Sequence, residues 1–136
     1  MAEEKEIDYN QLQEGFKFPA VSHKLDASTV TTYLKAVDES SDIFRNTELV
    51  PPTAVAAMAF AALSQSTSFP AGTIHVSQKL EFKKEVNIQD TIVCNASVIR
   101  RRDRGPLHIL TIVLSILNQH GKEVITGNTE FILPDL

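Results

Sequence analysis

Hydrophobic and polar residues repeat along this chain with two periods, and the first of them is that of a helix. One apolar stripe recurs at the spacing of a single helix face: Val30, Tyr33, Leu34 and Val37. Asp26 precedes the stripe as a candidate N-cap, and Leu25 can pack on Val30 across it. The pattern predicts a first helix that begins after Asp26 and ends at about Glu39.

A second helical segment has no polar face. It begins at Pro51-Pro52-Thr53, residue types that suit a first helical turn, and continues as AVAAMAFAAL. Because an apolar helix cannot face water on any side, the segment is predicted to be the buried centre of the domain. The polar stretch between the two helices, residues 38–52, is predicted to be a loop.

After Thr73 the period changes to two, which predicts strands. In the first strand one face holds Ile74, Val76, Leu80 and Phe82, and the other holds His75, Ser77, Lys79 and Glu81. Three more strands are predicted at residues 91–101, 107–117 and 123–133, and a short edge strand within residues 15–24. The short connections between the last three strands favour an antiparallel meander.

These elements predict an α+β domain in which one curved antiparallel sheet wraps around the apolar helix. The acidic residues 1–14 are predicted to be a loosely attached arm, and residues 15–136 a single domain. A single sheet of this kind has open edges. Strand sequences such as LHILTIVLSIL are apolar on both faces, which suggests that a partner covers one face. We therefore expect a homodimer or a heterodimer.

Composition narrows the class of protein. The chain has 136 residues, of which 43% are hydrophobic and 22% charged, as in an ordinary globular domain. Its net charge of -4 argues against general nucleic-acid binding. The apolar run at residues 54–63 is about half as long as a membrane span. Cys94 is the one cysteine, and the opening residues lack the pattern of a secretory signal, so we expect a cytoplasmic protein without membrane attachment.

Four segments carry a family resemblance: AVDESSDIF, VPPTAVAAM, HVSQKLEF and NIQDTI. In order and spacing they resemble the MaoC-like branch of the hot-dog superfamily, over about residues 15–133. The resemblance implies a hot-dog fold and the hydration of trans-2-enoyl thioesters, or the dehydration of (3R)-hydroxyacyl thioesters, of coenzyme A or acyl carrier protein. The Pro-Pro-Thr helix entry is similar to that of N-terminal-type domains, in which a second hot-dog unit supplies the catalytic motif. No cofactor is implied.

The catalytic motif of the family is altered here. In register, its Asp falls on Glu39, its Asn on Ser41 and its His on Phe44, and a phenylalanine cannot act as a base. The remaining catalytic candidates are Glu39, Asp42 and His75, each of which is also an ordinary surface residue type.

The resemblance also implies residues that bind substrate. The amides of Thr53 and Ala54 would receive the thioester carbonyl at the start of the buried helix, with Phe44 among the substrate-binding residues. Arg100 and Arg102 belong to a run of arginines that would contact phosphates or simply be solvated. The four histidines have no metal-ligand spacing, and we predict no metal site.

The sequence leaves several functions open. The leading hypothesis is an acyl-thioester-binding subunit of a MaoC-like hydratase or dehydratase, which needs a catalytic partner. The alternatives are a self-sufficient hydratase with relocated acid and base residues, a non-enzymatic hot-dog module, and a thioesterase.

Overall fold

A computed structural model describes residues 9–66 and 69–135. Its helices are a short 3-10 turn at Tyr9–Gln11, α1 at Ala27–Ala36, α2 at Asp42–Arg45 and α3 at Pro52–Ser66. Its strands are β1 at Val21–Lys24, β2 at Ile74–Phe82, β3 at Thr91–Arg104, β4 at Leu107–Leu117 and β5 at Glu123–Pro134.

The first helix starts where the sequence predicts. The Asp26 carboxylate accepts a hydrogen bond of 2.8 Å from the backbone N–H of Thr29, which confirms the N-cap. The helix ends at Ala36, three residues before the predicted end. Asp38 takes a left-handed conformation with φ of 54°, and Glu39 N–H then bonds to Leu34 O at 2.9 Å. This arrangement closes the last turn.

The predicted loop between the two long helices contains a further helix, α2, of four residues. Its single turn is closed by a bond of 2.9 Å from Asn46 N–H to Asp42 O. One turn is too short to show an apolar period, so the sequence pattern missed it.

The five strands form one antiparallel sheet in the order β1-β3-β4-β5-β2. The predicted meander of β3, β4 and β5 and the edge position of the short β1 are confirmed. One side of α3 packs on the inner face of this sheet, which confirms the α+β class. A first buried cluster surrounds the start of the helix and includes Ala54, Val55, Ile92, Ile116 and Ile125. A second includes Phe18, Leu63, Leu110, Ile112 and Phe131.

Two β-bulges reverse the predicted alternation of faces. In β2, His75 pairs with Phe131 but Ser77 pairs with Glu130, so Val76 is an extra residue. His75 therefore shares the inner face with Phe131, and the prediction that it lies on the polar face was wrong. In β3, Ile99 is the extra residue between Val98 and Arg100. A bulge inserts one residue and so inverts the faces of all residues beyond it. A prediction that assumes strict alternation contains no sign of where such a residue is inserted.

The central helix is not buried on every side in the single chain, contrary to the sequence prediction. Four of its exposed residues form one face, which we call the α3 strip: Thr53, Ala57, Ala61 and Ser64; Pro52 and Gln65 are also exposed, near the two ends of the helix. The sheet and α1 cover the other sides, and the strip faces outward. No helix in the described ranges is both long and apolar enough to cross a membrane.

Residues 9–14, which the sequence assigns to the arm, contact the domain. Leu12 is buried in the second cluster, and Gly15 N–H bonds to Val98 O at 2.8 Å. The rest of the predicted arm lies outside the described residues. The boundary at residue 14 stays a prediction.

Candidate functional site

The start of α3 presents one unused backbone donor. Pro51 and Pro52 have no N–H, and the N–H of Ala54 donates to Pro51 O at 2.9 Å. The N–H of Thr53 has no acceptor among residues 9–66 and 69–135. Of the two amides that the resemblance implies for a carbonyl ligand, only that of Thr53 is open.

The Thr53 side chain is held from a second helix. Tyr33 of α1 donates its hydroxyl to Thr53 Oγ1 at 2.8 Å. The sequence pattern identified Tyr33 as part of an apolar stripe, and its ring does pack beside the first cluster. The sequence pattern did not predict the hydrogen bond of its hydroxyl, because Tyr33 and Thr53 are 20 positions apart and no local spacing indicates such a contact.

Glu39 and Phe44 line a cleft of about 500 Å³ between α1 and α2. The Glu39 carboxylate accepts a bond of 2.8 Å from the N–H of Ser41, so it stabilises its own loop. Asp42 lies exposed in the first turn of α2. The apolar floor of the cleft includes Leu34, which packs against the first cluster.

His75 lies near the second cluster. Its ring centroid is 5.8 Å from that of Phe60 on α3 and 4.8 Å from that of Phe131 on β5. Its Nε2 is 3.2 Å from Gln78 Oε1. Within one chain, the structure does not bring His75 to the carboxylates of Glu39 and Asp42.

The arginine run is divided by the Ile99 bulge. Arg100 and Arg102 point to the outer face, where Arg102 is 3.8 Å from the Glu130 carboxylate. Arg101 pairs with Leu110 and lies on the inner face, and its guanidinium donates to Asp103 at 3.0 Å. Arg100 and Arg102 therefore lie together on the outer surface of the sheet, near the β3–β4 hairpin.

His108 is enclosed by carboxylates. Its Nδ1 is 2.7 Å from Asp103 Oδ1, and its Nε2 is bonded to Asp135. The hydrogen bonds that His108 donates to Asp103 and Asp135 raise its pKa above the ordinary 6.5. Burial raises the pKa of the Cys94 thiol to about 11, so Cys94 is a poor nucleophile. Cys94 packs against the first cluster, at the start of α3, but as a partly buried thiol.

A further cleft adjoins the start of α3, and sequence reasoning missed it. It has a volume of about 300 Å³ and an apolar wall that includes Pro52, Val55 and Phe82. Lys83 and Lys84 stand at its rim, and Lys83 is 3.6 Å from the Glu123 carboxylate. Because the cleft joins three separate elements, no local pattern predicted it.

Comparison with known proteins gives one family and one fold. The model of the FAS1-like dehydratase domain region matches residues 13–127. No curated protein sequence matches the chain.

Solved structures resemble the chain over almost its full length. The MaoC-like dehydratase from Rhodospirillum rubrum has a TM-score of 0.80 and 17% identity, covering 96% of this chain and 98% of that chain. The (R)-hydratase from A. caviae, involved in PHA biosynthesis, has a TM-score of 0.75 and 23% identity, covering 90% and 98%. The HadBC (3R-hydroxyacyl-ACP dehydratase) complex from Mycobacterium tuberculosis has a TM-score of 0.68 and 16% identity, covering 88% and 96%. The fold is the hot-dog fold.

Proposed function

This chain belongs to the FAS1-like dehydratase domain family, and from that premise we propose that it is an acyl-thioester-binding subunit of a hydratase or dehydratase. The thioester, of coenzyme A or acyl carrier protein, would place its carbonyl at the start of α3. The observation that carries the proposal is the open amide of Thr53 at the head of the exposed α3 strip. A preorganised donor at a helix N-terminus stabilises negative charge on a carbonyl oxygen.

The chain's own residues support binding more than proton transfer. Adding water to an enoyl thioester needs a base close to the reacting carbon. Phe44 stands where the family's histidine would be, and the Glu39 carboxylate is engaged by Ser41. We therefore propose that a second hot-dog subunit carries the acid and base residues.

The second subunit would bind to the side of the molecule on which the α3 strip is exposed. β2 is an edge strand beside this side, and it exposes Ile74, Val76 and Phe82. Exposed apolar residues on an open edge favour pairing with another sheet. One structural neighbour, HadBC, is a complex by its description, which supports a two-subunit arrangement.

We further propose that Arg100 and Arg102, whose guanidinium groups suit phosphate oxygens, contact the phosphates of a carrier bound at another subunit, because both lie on the face of the sheet opposite to α3. Both lie on the outer face, and Arg102 is also held by Glu130. Phe44 would contribute an apolar contact, whereas Ala54 would shape the site only from within the core, because its side chain is fully buried and its amide is bonded to Pro51 O.

Calorimetry with octanoyl-CoA and its thioether analogue, which lacks the carbonyl, tests the proposal. The thioester is expected to bind roughly three- to tenfold more tightly, the range of one net hydrogen bond. Thr53→Pro, which removes the open N–H within the first turn of α3, should abolish this preference and leave thioether binding unchanged, while Asn128→Ala, on the outer face of the sheet, serves as the control. Equal affinity for the two ligands in the wild-type protein would contradict the carbonyl site.

The need for a partner has its own assay. The isolated chain is expected not to hydrate crotonyl-CoA, whereas the complex isolated from the native extract should contain a second hot-dog chain with Asp and His and should be active. Hydration by the isolated chain at ordinary enzyme rates, retained in Glu39→Ala and Asp42→Ala, would refute the partner requirement.

A further inference from the structure

The orientation of His75 is fixed by a short chain of polar groups that begins inside the core. Thr129 is fully buried, and its hydroxyl donates to Gln78 Oε1 at 2.7 Å. The same oxygen is 3.2 Å from His75 Nε2. On the other side of the amide, Gln78 Nε2 donates to Lys79 O at 3.1 Å and to Asn128 O at 3.3 Å.

This arrangement decides which nitrogen of His75 carries a proton. Both Gln78 contacts to backbone carbonyls require the amide nitrogen on that side, so its oxygen faces His75. An amide oxygen only accepts hydrogen bonds. His75 must therefore donate from Nε2, and in the neutral ring the lone pair is on Nδ1. No partner contacts Nδ1 within the described residues.

The surroundings of that lone pair are aromatic. Phe60 and Phe131 flank the His75 ring, and Phe69 stacks on Phe131 with centroids 4.9 Å apart. The His75 ring is exposed, so its oriented acceptor is accessible from outside the chain, and beside these apolar rings it fits a ligand that is apolar but carries one hydrogen-bond donor.

His75 lies beside α3 at the level of Phe60, and this level specifies where the donor group of the ligand would be. Phe60, which contacts His75, lies seven residues beyond Thr53, a rise of about 10 Å along the helix. An extended chain of roughly eight carbons covers this distance, with bonds of about 1.5 Å. His75 of the same chain is therefore too far from Thr53 to act at the carbons next to a thioester bound there.

We propose that His75 is a specificity residue that accepts, at Nδ1, a hydrogen bond from a hydroxyl group near the distal end of a medium-length acyl chain. The assignment rests on the proposed function, because it places the thioester at Thr53 and the acyl chain along the α3 strip. Gln78 and Thr129 are positioning residues, which act by holding the His75 tautomer.

Long-range proton–nitrogen NMR spectra of the full chain test the orientation without any ligand. At a pH where the ring is neutral, the expected signal of His75 is that of the Nε2–H form. Gln78→Met, which removes the acceptor and keeps the length of the side chain, should allow both forms. A wild-type ring protonated at Nδ1 would overturn the proposal.

Binding of three CoA esters tests the ligand class. The measured quantity is the ratio of the affinity for 8-hydroxyoctanoyl-CoA to the affinity for octanoyl-CoA. In the wild-type protein, or in its complex with the partner, this ratio should be roughly three- to tenfold larger than in His75→Phe. 3-Hydroxyoctanoyl-CoA should show no such difference between the two proteins. Octanoyl-CoA should bind equally well to both.

The two possible failures are distinguishable. If octanoyl-CoA binds and the distal hydroxyl has no His75-dependent effect, the proposal for His75 is overturned and the acyl-thioester function stands. If none of the three esters binds to the chain or its complex, the proposed function itself fails, and the assignment of His75 fails with it.

Discussion

Two histidines on the inner face of the sheet differ in how their ring nitrogens are used. Both nitrogens of His108 are bonded to carboxylates, from Asp103 and Asp135. In His75 one nitrogen is bonded to Gln78, and the other has no partner in the described part of the chain. A histidine with both nitrogens engaged stabilises structure, whereas an oriented ring with one open nitrogen can contact a ligand.

The two sites also differ in what they connect. His108 joins the β3–β4 hairpin to the residues after β5, and the neighbouring Arg101 donates to Leu12 O at 3.4 Å. His108 and Arg101 together therefore fasten both ends of the described chain to the sheet. His75 contacts the central helix through Phe60, on the side where the α3 strip is exposed. The following predictions test this difference, from the largest expected effect to the smallest.

Gly127→Ala should have the largest effect, because it disturbs the strand pair that holds His75. A Cβ at this position would be 2.7 Å from Lys79 O and 2.9 Å from Leu80 Cδ2, so β2 must move away from β5. We expect a loss of about 2 kcal/mol in the free energy of unfolding, measured by denaturant titration. Asn128→Ala, on the exposed outer face, is the control and should change it by less than about 0.5 kcal/mol. Equal stability of the two variants would contradict the close approach.

Thr129→Val should have a smaller effect that is still measurable. The substitution keeps the shape of the buried side chain and removes its bond to Gln78 Oε1, at an expected cost of about 1 kcal/mol in unfolding free energy. Thr126→Val, on the outer face of the same strand, is the matched control. A change no larger than that of the control would show that the buried hydroxyl does not support the Gln78–His75 contact.

His108→Gln should change how stability depends on pH. Because the pKa of His108 is raised by folding, its stabilisation is complete below the ordinary value of 6.5 and is lost as pH rises through the folded value. The difference in Tm between wild type and variant should therefore shrink between pH 6 and pH 9. Since both carboxylates are more than half exposed, we expect a shift of a few degrees at most. A difference that grows with pH would contradict the paired histidine.

His75→Phe should have the smallest effect on stability. The ring is exposed, and phenylalanine keeps its contacts with Phe60 and Phe131. We expect a change of less than about 0.5 kcal/mol in thermal or denaturant unfolding. A loss as large as that of Thr129→Val would indicate that His75, like His108, is a structural residue.

Local chemistry made some features of this chain predictable. Asp26 caps α1 as expected, because an N-cap depends only on the carboxylate and the next turn of backbone. The apolar segment after Pro52 forms the long α3, and the last three strands form a meander because their connections are short. The family resemblance also predicts that the base is missing, since the family's histidine falls on Phe44 in register, and this stays a prediction.

Contacts between distant elements were not predictable in the same way. The Tyr33–Thr53 hydrogen bond joins two helices, and the 300 Å³ cleft near Pro52 joins three elements. Both arise from how the helices pack on the sheet. The end of α1 was misjudged because Asp38 adopts a left-handed conformation that a non-glycine residue rarely takes.

The sequence by itself determined that an apolar helix is packed against an antiparallel sheet, because the period and the residue types of each segment are local properties of the chain. Only the tertiary structure decided which residues meet. The bulges at Val76 and Ile99 turned His75 and Arg101 inward, away from the faces that a period of two assigns to them. A bulge is set by the hydrogen-bond register between two strands, and that register exists only once the strands have paired.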